Sequence, residues 1–316
     1  MFLATANVAE TIPDALIDRM EVVRLDGYTE DEKVAIARNH LLPRQLSRAA
    51  LEASDVQVHD EALRLIAGEH TREAGVRQLE RAIARVLRKI ATELAANADA
   101  TPVQVSAESL VGYLGRPRFT PESAERTSVP GVATGLAVTG AGGDVLFIEA
   151  TSMAGDAHLT LTGQLGDVMK ESAHIALSYL KAHSTDLGID GAALDRALHV
   201  HIPAGAIPKD GPAAGVTMVT ALASLATGRP VRSEVGMTGE VTLNGRVLPI
   251  GGVKQKLLAA HRAGLTTVFL PKRNEADLDD VPEAVREQLD VRLVADVADL
   301  VREALEPVVA ASTLAA

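Results

Sequence analysis

The stretch "ALHVHIPAGAIPKDGPAAGVTMVTALASLATG", Ala197 to Gly228, runs from a strand through a constrained corner into a helix. "ALHVHI" reads as a strand entering the corner, and "PAAGVTMVTALASLATG" as the helix leaving it. Lys209, Asp210, Gly211 and Pro212 form a polar turn between them. Pro212 suits the first turn of a helix, and Asp210 stands where a capping side chain is wanted. Backbone N–H groups from Gly211 to Ala214 then lie at a helix N-terminus, where preorganised donors stabilise a developing anion. Such a corner calls for a reactive side chain, yet Ala213 and Ala214 stand there instead.

Around this corner, strands and helices mix. "GVATGLAVTG" and "GDVLFIEATSM" read as strands joined at a Gly-Gly turn. "DVMKESAHIALSYLKAH" reads as a helix, "TTVFLP" as a strand and "VRLVADVADLVREAL" as a strand–helix pair. Residues 131–310 therefore form an α/β (α+β) domain. Upstream, "GRPRFTPESAERTSVPG" is rich in Pro, Ser and charge, and 115–130 reads as a linker. Residues 27–114 carry helical periodicity, opening at an N-cap on Thr29. The clearest helix spans about Arg72 to Ala96, with Leu79, Ile83, Val86, Leu87, Ile90 and Leu94 on one apolar stripe. Within residues 1–26, "MFLATAN" reads as a buried strand and "TIPDALIDRMEVVRL" as a turn, a short helix and a strand. The tail 311–316 is expected to fray.

Composition narrows the function classes. The 316 residues are 47% hydrophobic but only 2% aromatic, so the cores are aliphatic. A net charge of −11 argues against a broad surface for nucleic acid or anionic membrane. Without cysteine there is no thiol nucleophile, disulfide framework or cysteine-ligated metal. The sequence carries neither a signal-peptide pattern nor an apolar run of about 18 residues. The expectation is a cytoplasmic protein with no membrane partner.

A second stretch, "GEVTLNGRVLPIGGVKQKLLAAHRAG" from Gly239 to Gly264, ends a hairpin at Gly251-Gly252 and starts a helix with Lys254 and Lys256. Two residues apart, these lysines point in different directions, so one can be solvated while the other turns inward. Burial disfavours the ammonium, and a neutral lysine can act as general base toward a hydroxyl. Together, "PKDGPAAG" and this stretch resemble the proteolytic domain of Lon, the ATP-dependent serine protease family. The family pattern P-K-D-G-P-S-A-G sets its nucleophilic serine on Ala213, and its dyad lysine falls on Lys256. The resemblance implies a Ser-Lys dyad lacking its serine here, hence no peptidase activity in this chain. It implies supporting positions at Thr238, which orients the lysine, and at Asp210, Gly211 and Ala214 around the oxyanion. Glu149, His199 and His201 fall nearby as outer residues at most. Ser152 and Thr217 are the other hydroxyls within consideration as nucleophiles.

The N-terminal part resembles an AAA+ module, residues 1–26 the end of its large subdomain and residues 27–114 its C-terminal, mostly α-helical small subdomain. "LATAN" resembles a sensor-1 strand with Asn7, "IPDALIDRMEVVRL" an arginine-finger segment with Arg19, and "TREAGVRQLERAI" a sensor-2 helix with Arg77. Guanidinium groups suit phosphoryl-transfer charge. No G-x-x-x-x-G-K-[ST] loop accompanies them, so the chain is expected neither to hydrolyse ATP nor to hold a cofactor or metal itself. ATP and Mg2+ belong to the full-length family member. The resemblance further implies a homohexameric ring acting on unfolded or damaged proteins. A single alanine in an otherwise intact motif fits one replaced residue better than general decay. The competing reading is a natural pseudoprotease, a ring-forming binding or holding module.

Overall fold

The computed structural model describes residues 2–6, 12–23, 25, 27–96, 102–117, 127–139, 142–203 and 209–307. Asn7, residues 118–126 of the expected linker and the tail 311–316 lie outside these. The short helix at the start is present, α1 at Asp14–Ile17. The expected flanking strands are not: residues 2–6 and 21–23 take no regular structure, and Phe2, Leu3, Val22 and Val23 are exposed. An apolar run forms a strand only where a neighbouring strand satisfies its backbone groups.

The first core is helical. Thr29 opens α2 (Glu30–Ile36) with a reciprocal capping box, its hydroxyl accepting from Glu32 N at 3.1 Å while Glu32 accepts from Thr29 N at 2.7 Å. The chain continues through α3 (Leu42–Arg48), β1 (Val56–Val58) and α4 (Asp60–Leu65) to α5 (Arg77–Ala96). The long helix thus starts at Arg77, not Arg72. Its buried stripe of Leu79, Ile83, Val86, Leu87 and Ile90 is the predicted one, while Leu94 packs at the margin. A short parallel pair, β1 with β2 (Val103–Val105), interrupts the helices, followed by α6 (Leu110–Leu114). The core gathers residues from Val34 to Leu110.

The second unit is α/β. It begins with β3 (Val132–Thr139), β4 (Gly142–Met153), β5 (His158–Thr162) and α7 (Asp167–Ala182). Next come α8 (Gly191–Leu194), β6 (Ala197–His201), α9 (Gly215–Thr227), β7 (Val235–Met237) and the small hairpin β8–β9 (Glu240–Val241, Val247–Leu248). The chain ends through α10 (Val253–Arg262), β10 (Thr267–Pro271), α11 (Glu283–Arg286), β11 (Asp290–Val294) and α12 (Val297–Ala304). Seven strands form one sheet in the order β11-β10-β7-β3-β4-β6-β5, mostly parallel, with β4 antiparallel to both its neighbours.

Strand side chains alternate between faces. Ala133, Ile148, Val200, Met237 and Phe269 pack with α7, α9 and α12 on one side. Leu136, Val268 and Leu270 pack with α10 and α11 on the other. The helical unit also grips this domain. Arg72 of the helical unit pairs with Asp144 beside the β3–β4 turn, and within the α/β unit Arg262 on α10 donates to the neighbouring Gly143 O at 2.6 Å. The Lys33 amine donates to Glu73 O, and burial, followed by the Arg262 charge, pushes its pKa down.

Candidate active site

Helices from opposite faces of the sheet meet at the carboxyl end of β7. On one side Ala213 sits in a single 3-10 turn, Pro212–Ala214, leading into α9. The turn is entered through Gly211 at φ 118°, a conformation that strains any residue with a Cβ. The Ala213 carbonyl accepts from Gly239 N at 2.9 Å and from Thr238 Oγ1 at 3.4 Å. Thr238 N donates to Phe269 O on β10 at 3.1 Å, and Val216 N donates to Gly239 O at 3.1 Å.

From the other side comes Lys256, the fourth residue of α10. It is 3% exposed, whereas Lys254 is only half-buried. Its Nζ donates to the fully buried Thr238 Oγ1 at 3.1 Å. Burial pushes the amine down to about 8, because a protonated amine is poorly solvated there. Thr238 thus bridges the lysine and the backbone of position 213.

Asp210 behaves differently from the sequence expectation. Instead of capping the helix after Pro212, its carboxylate accepts from Met169 N at 3.0 Å, capping the first turn of α7. It also accepts from Gly211 N at 2.9 Å, so that N–H is engaged by the carboxylate rather than offered to an anion. Gly166 makes this possible, since a Cβ there would lie 2.2 Å from the Asp210 carboxyl carbon. Lys209 braces the same corner, its backbone exchanging bonds with Gln164 and Gly166 and its amine reaching Gly163 O at 3.0 Å.

The histidines form a separate group. Thr162 Oγ1 lies 2.9 Å from His199 Nε2 and 2.7 Å from His201 Nδ1, and Glu149 stands opposite His201 in the β4–β6 register. Alternation sets them on the face away from Leu198 and Val200, so the sheet lies between them and α9. Thr217 is fully buried against Gly135 of β3, and Ser152 sits opposite Leu198 on β4. Sequence reasoning missed Gly239, whose N–H holds the 213 carbonyl. A Cβ on it would meet Val247 at 2.9 Å and Val216 at 3.1 Å, so glycine is needed there.

Of the nucleotide-side residues, Arg19 is exposed in the turn after α1. Arg77 lines a cavity of about 450 Å3 between α3 and α5 with Arg48, Arg81, Arg88 and Glu80. This concavity lies on the helical unit, not at the Lys256–Thr238 contact. Among the described residues, no group of three or more His, Asp or Glu is arranged for a metal ion. No helix of the described residues is long and apolar enough to cross a membrane.

Residues 104–307 match the Lon protease (S16) C-terminal proteolytic domain, and residues 47–103 match the Lon protease AAA+ ATPase lid domain. The chain belongs to the Lon protease family. Among relatives, the Lon protease of Salinispora arenicola is 70% identical over 97% of this chain and 39% of its own length. That of Mycolicibacterium smegmatis is 66% identical over 100% of this chain and 41% of its own. That of Frankia alni is 68% identical over 97% and 36%. The chain thus spans about two fifths of the Lon proteases it matches. The lid match falls within the helical unit and the proteolytic-domain match covers the α/β unit, in agreement with the fold class read from the sequence.

Proposed function

We propose that the chain is the lid and proteolytic part of an ATP-dependent serine endopeptidase working through a Ser-Lys dyad, with Ala213 at the nucleophile position. The carrying observation is Lys256, a buried amine with its pKa near 8, linked through Thr238 to the turn that bears residue 213. Its role is as follows. At pH 7 roughly a tenth of such an amine is neutral and able to accept a proton. A serine at 213 would pass its hydroxyl proton to Lys256 Nζ as the oxygen attacks a peptide carbonyl. Backbone N–H groups at 213 and 214 would hold the oxyanion. Thr238 keeps the amine aimed at the turn. Alanine has no attacking oxygen, so this chain holds peptide without cleaving it.

The arginines around the Arg77 cavity carry the positive charge and forked donors that suit polyphosphate oxygens, which supports ATP as the nucleotide of the full-length protein. ATP there would supply the energy of substrate delivery, while Arg77 on α5 and the exposed Arg19 would bind phosphate charge. Mg2+ would accompany it on residues outside this group. Family membership supports the wider reading: a hexameric ring, unfolded or damaged proteins as substrates, and a cytoplasmic setting. Ala213 itself favours a second reading, a non-cleaving holding module.

The test is Ala213→Ser in this chain, assayed on casein and a fluorogenic peptide. Cleavage that appears with serine, rises with pH around an apparent pKa near 8 and vanishes with Lys256→Ala establishes the dyad. A folded, inert Ala213→Ser chain, inert also at full length, favours the holding module.

A further inference from the structure

A dyad works only if the amine stands at a set distance from residue 213, yet the start of α10 is poorly determined by its own sequence. No side chain caps its first turn, and it opens from Gly252 at φ 71° after Gly251. Paired glycines leave a chain many conformations. Buried Val253 and Leu257 fix which face of the helix packs, but not where along its axis the helix begins.

Asn274 supplies that constraint from outside both motifs. It lies in the 3-10 segment Lys272–Asp280 and is 3% exposed. Its Oδ1 accepts from Ile250 N at 3.0 Å, while its Nδ2 donates to Ile250 O at 2.8 Å. This is the paired exchange a neighbouring strand would make with one residue. A third bond, from Nδ2 to Asp277 Oδ2 at 2.6 Å, fixes which end of the amide carries the donors. Ile250 is thereby held two residues before Gly252, whose carbonyl receives the Lys256 N–H at 3.0 Å.

The other end of this chain of bonds is β10. Asn274 stands three residues past Pro271, where β10 ends, and Phe269 O on the same strand holds Thr238 N. One strand therefore anchors both partners of the Lys256–Thr238 contact. Thr238 is held directly, and Lys256 through Asn274, Ile250 and Gly252. We propose that Asn274 is a positioning residue of the dyad, setting the separation of Lys256 from Thr238 and residue 213 by tying the start of α10 to β10. The geometry stands alone, whereas its catalytic consequence rests on the dyad reading above.

Two variants test it. Asn274→Ala removes both bonds to Ile250. Asn274→Asp keeps the volume and the acceptor for Ile250 N, but turns an oxygen toward Ile250 O and Asp277, and it serves if the alanine variant does not fold. In the chain carrying Ala213→Ser, each variant is expected to lower kcat on a fluorogenic peptide by roughly 10- to 100-fold, the cost of misplacing a reacting group by about 1 Å. KM should stay within about twofold, because peptide binding does not use Asn274. In the parent chain, lysine-selective NMR titration should find the Lys256 pKa raised from about 8 toward the ordinary value near 10.4 as water reaches the amine. Unchanged kcat and an unchanged Lys256 titration, with only a lower unfolding temperature, would make Asn274 a packing residue and overturn the proposal. Should Ala213→Ser be inert both in this chain and at full length, the dyad reading fails, and the Lys256 titration alone decides what Asn274 does.

Discussion

Replacing Lys256 with methionine isolates the cost of keeping an amine in this site. The side chain is 3% exposed and its pKa falls from 10.5 to about 8 because burial disfavours the charge. At about 1.4 kcal/mol for each tenfold change in proton affinity, that fall corresponds to about 3 kcal/mol. The sign follows from proton counting. Below about pH 8 the amine is protonated in both states, and folding carries the whole penalty. Between about 8 and 10.5 the unfolded chain binds more protons, so stability rises with pH as the penalty is relieved. Methionine retains a flexible apolar stem and carries no charge. It gives up the bond to Thr238, about 1 kcal/mol, while Thr238 Oγ1 can still donate to Ala213 O.

Lys256→Met should therefore be more stable than the parent by about 2 kcal/mol at pH 7, an advantage that disappears by about pH 10. Urea unfolding of both chains across that range measures it. Other groups titrate too. Tyr179, pushed up to about 12 chiefly by burial and then by Asp296, lowers stability as pH rises above about 10. Both chains share it, so the difference between the two curves reports Lys256. Parallel curves, or a methionine variant less stable at pH 7, would refute the desolvated-lysine account and with it the ready general base. A residue that destabilises the fold where it stands is the kind retained for function.

Two further outcomes test the frame around the site. Asp210→Ala should cost about 1 kcal/mol through the lost α7 cap, read by thermal unfolding; a neutral result would mean water replaces the carboxylate at Met169 N. Gly143→Ala should cost about 2 kcal/mol or more by overpacking, because its Cβ would fall 1.8 Å from Gln255 O on the helix of Lys256. In the Ala213→Ser background the same change should lower peptide cleavage, and full activity with full stability would show that α10 shifts freely against β4.

The sequence by itself determined what is periodic or local. The stripe from Leu79 to Ile90, the pairing of β3 with β4 and the capping box at Thr29 follow from residues close in the chain, although Gly142 and Gly143, read as the turn, lie within β4. Local spacing also marked the turn at Lys209–Ala214 and the lysine pair Lys254 and Lys256, and the resemblance to the Lon family singled out Ala213 and Lys256 among them. Tertiary structure decided the rest. Lys254 and Lys256 have the same chemistry, and only the packing of α10 under Thr238 buries the second and lowers its pKa. Asp210 obeys the capping rule, but on a helix that begins 43 residues upstream, at Asp167–Ala182, because folding brings Met169 N closer than the next turn. The run at residues 2–6 has strand-like composition yet forms no strand. A strand is a relation between two segments, and so is a proton acceptor held at a working distance: neither is a property of one stretch of chain.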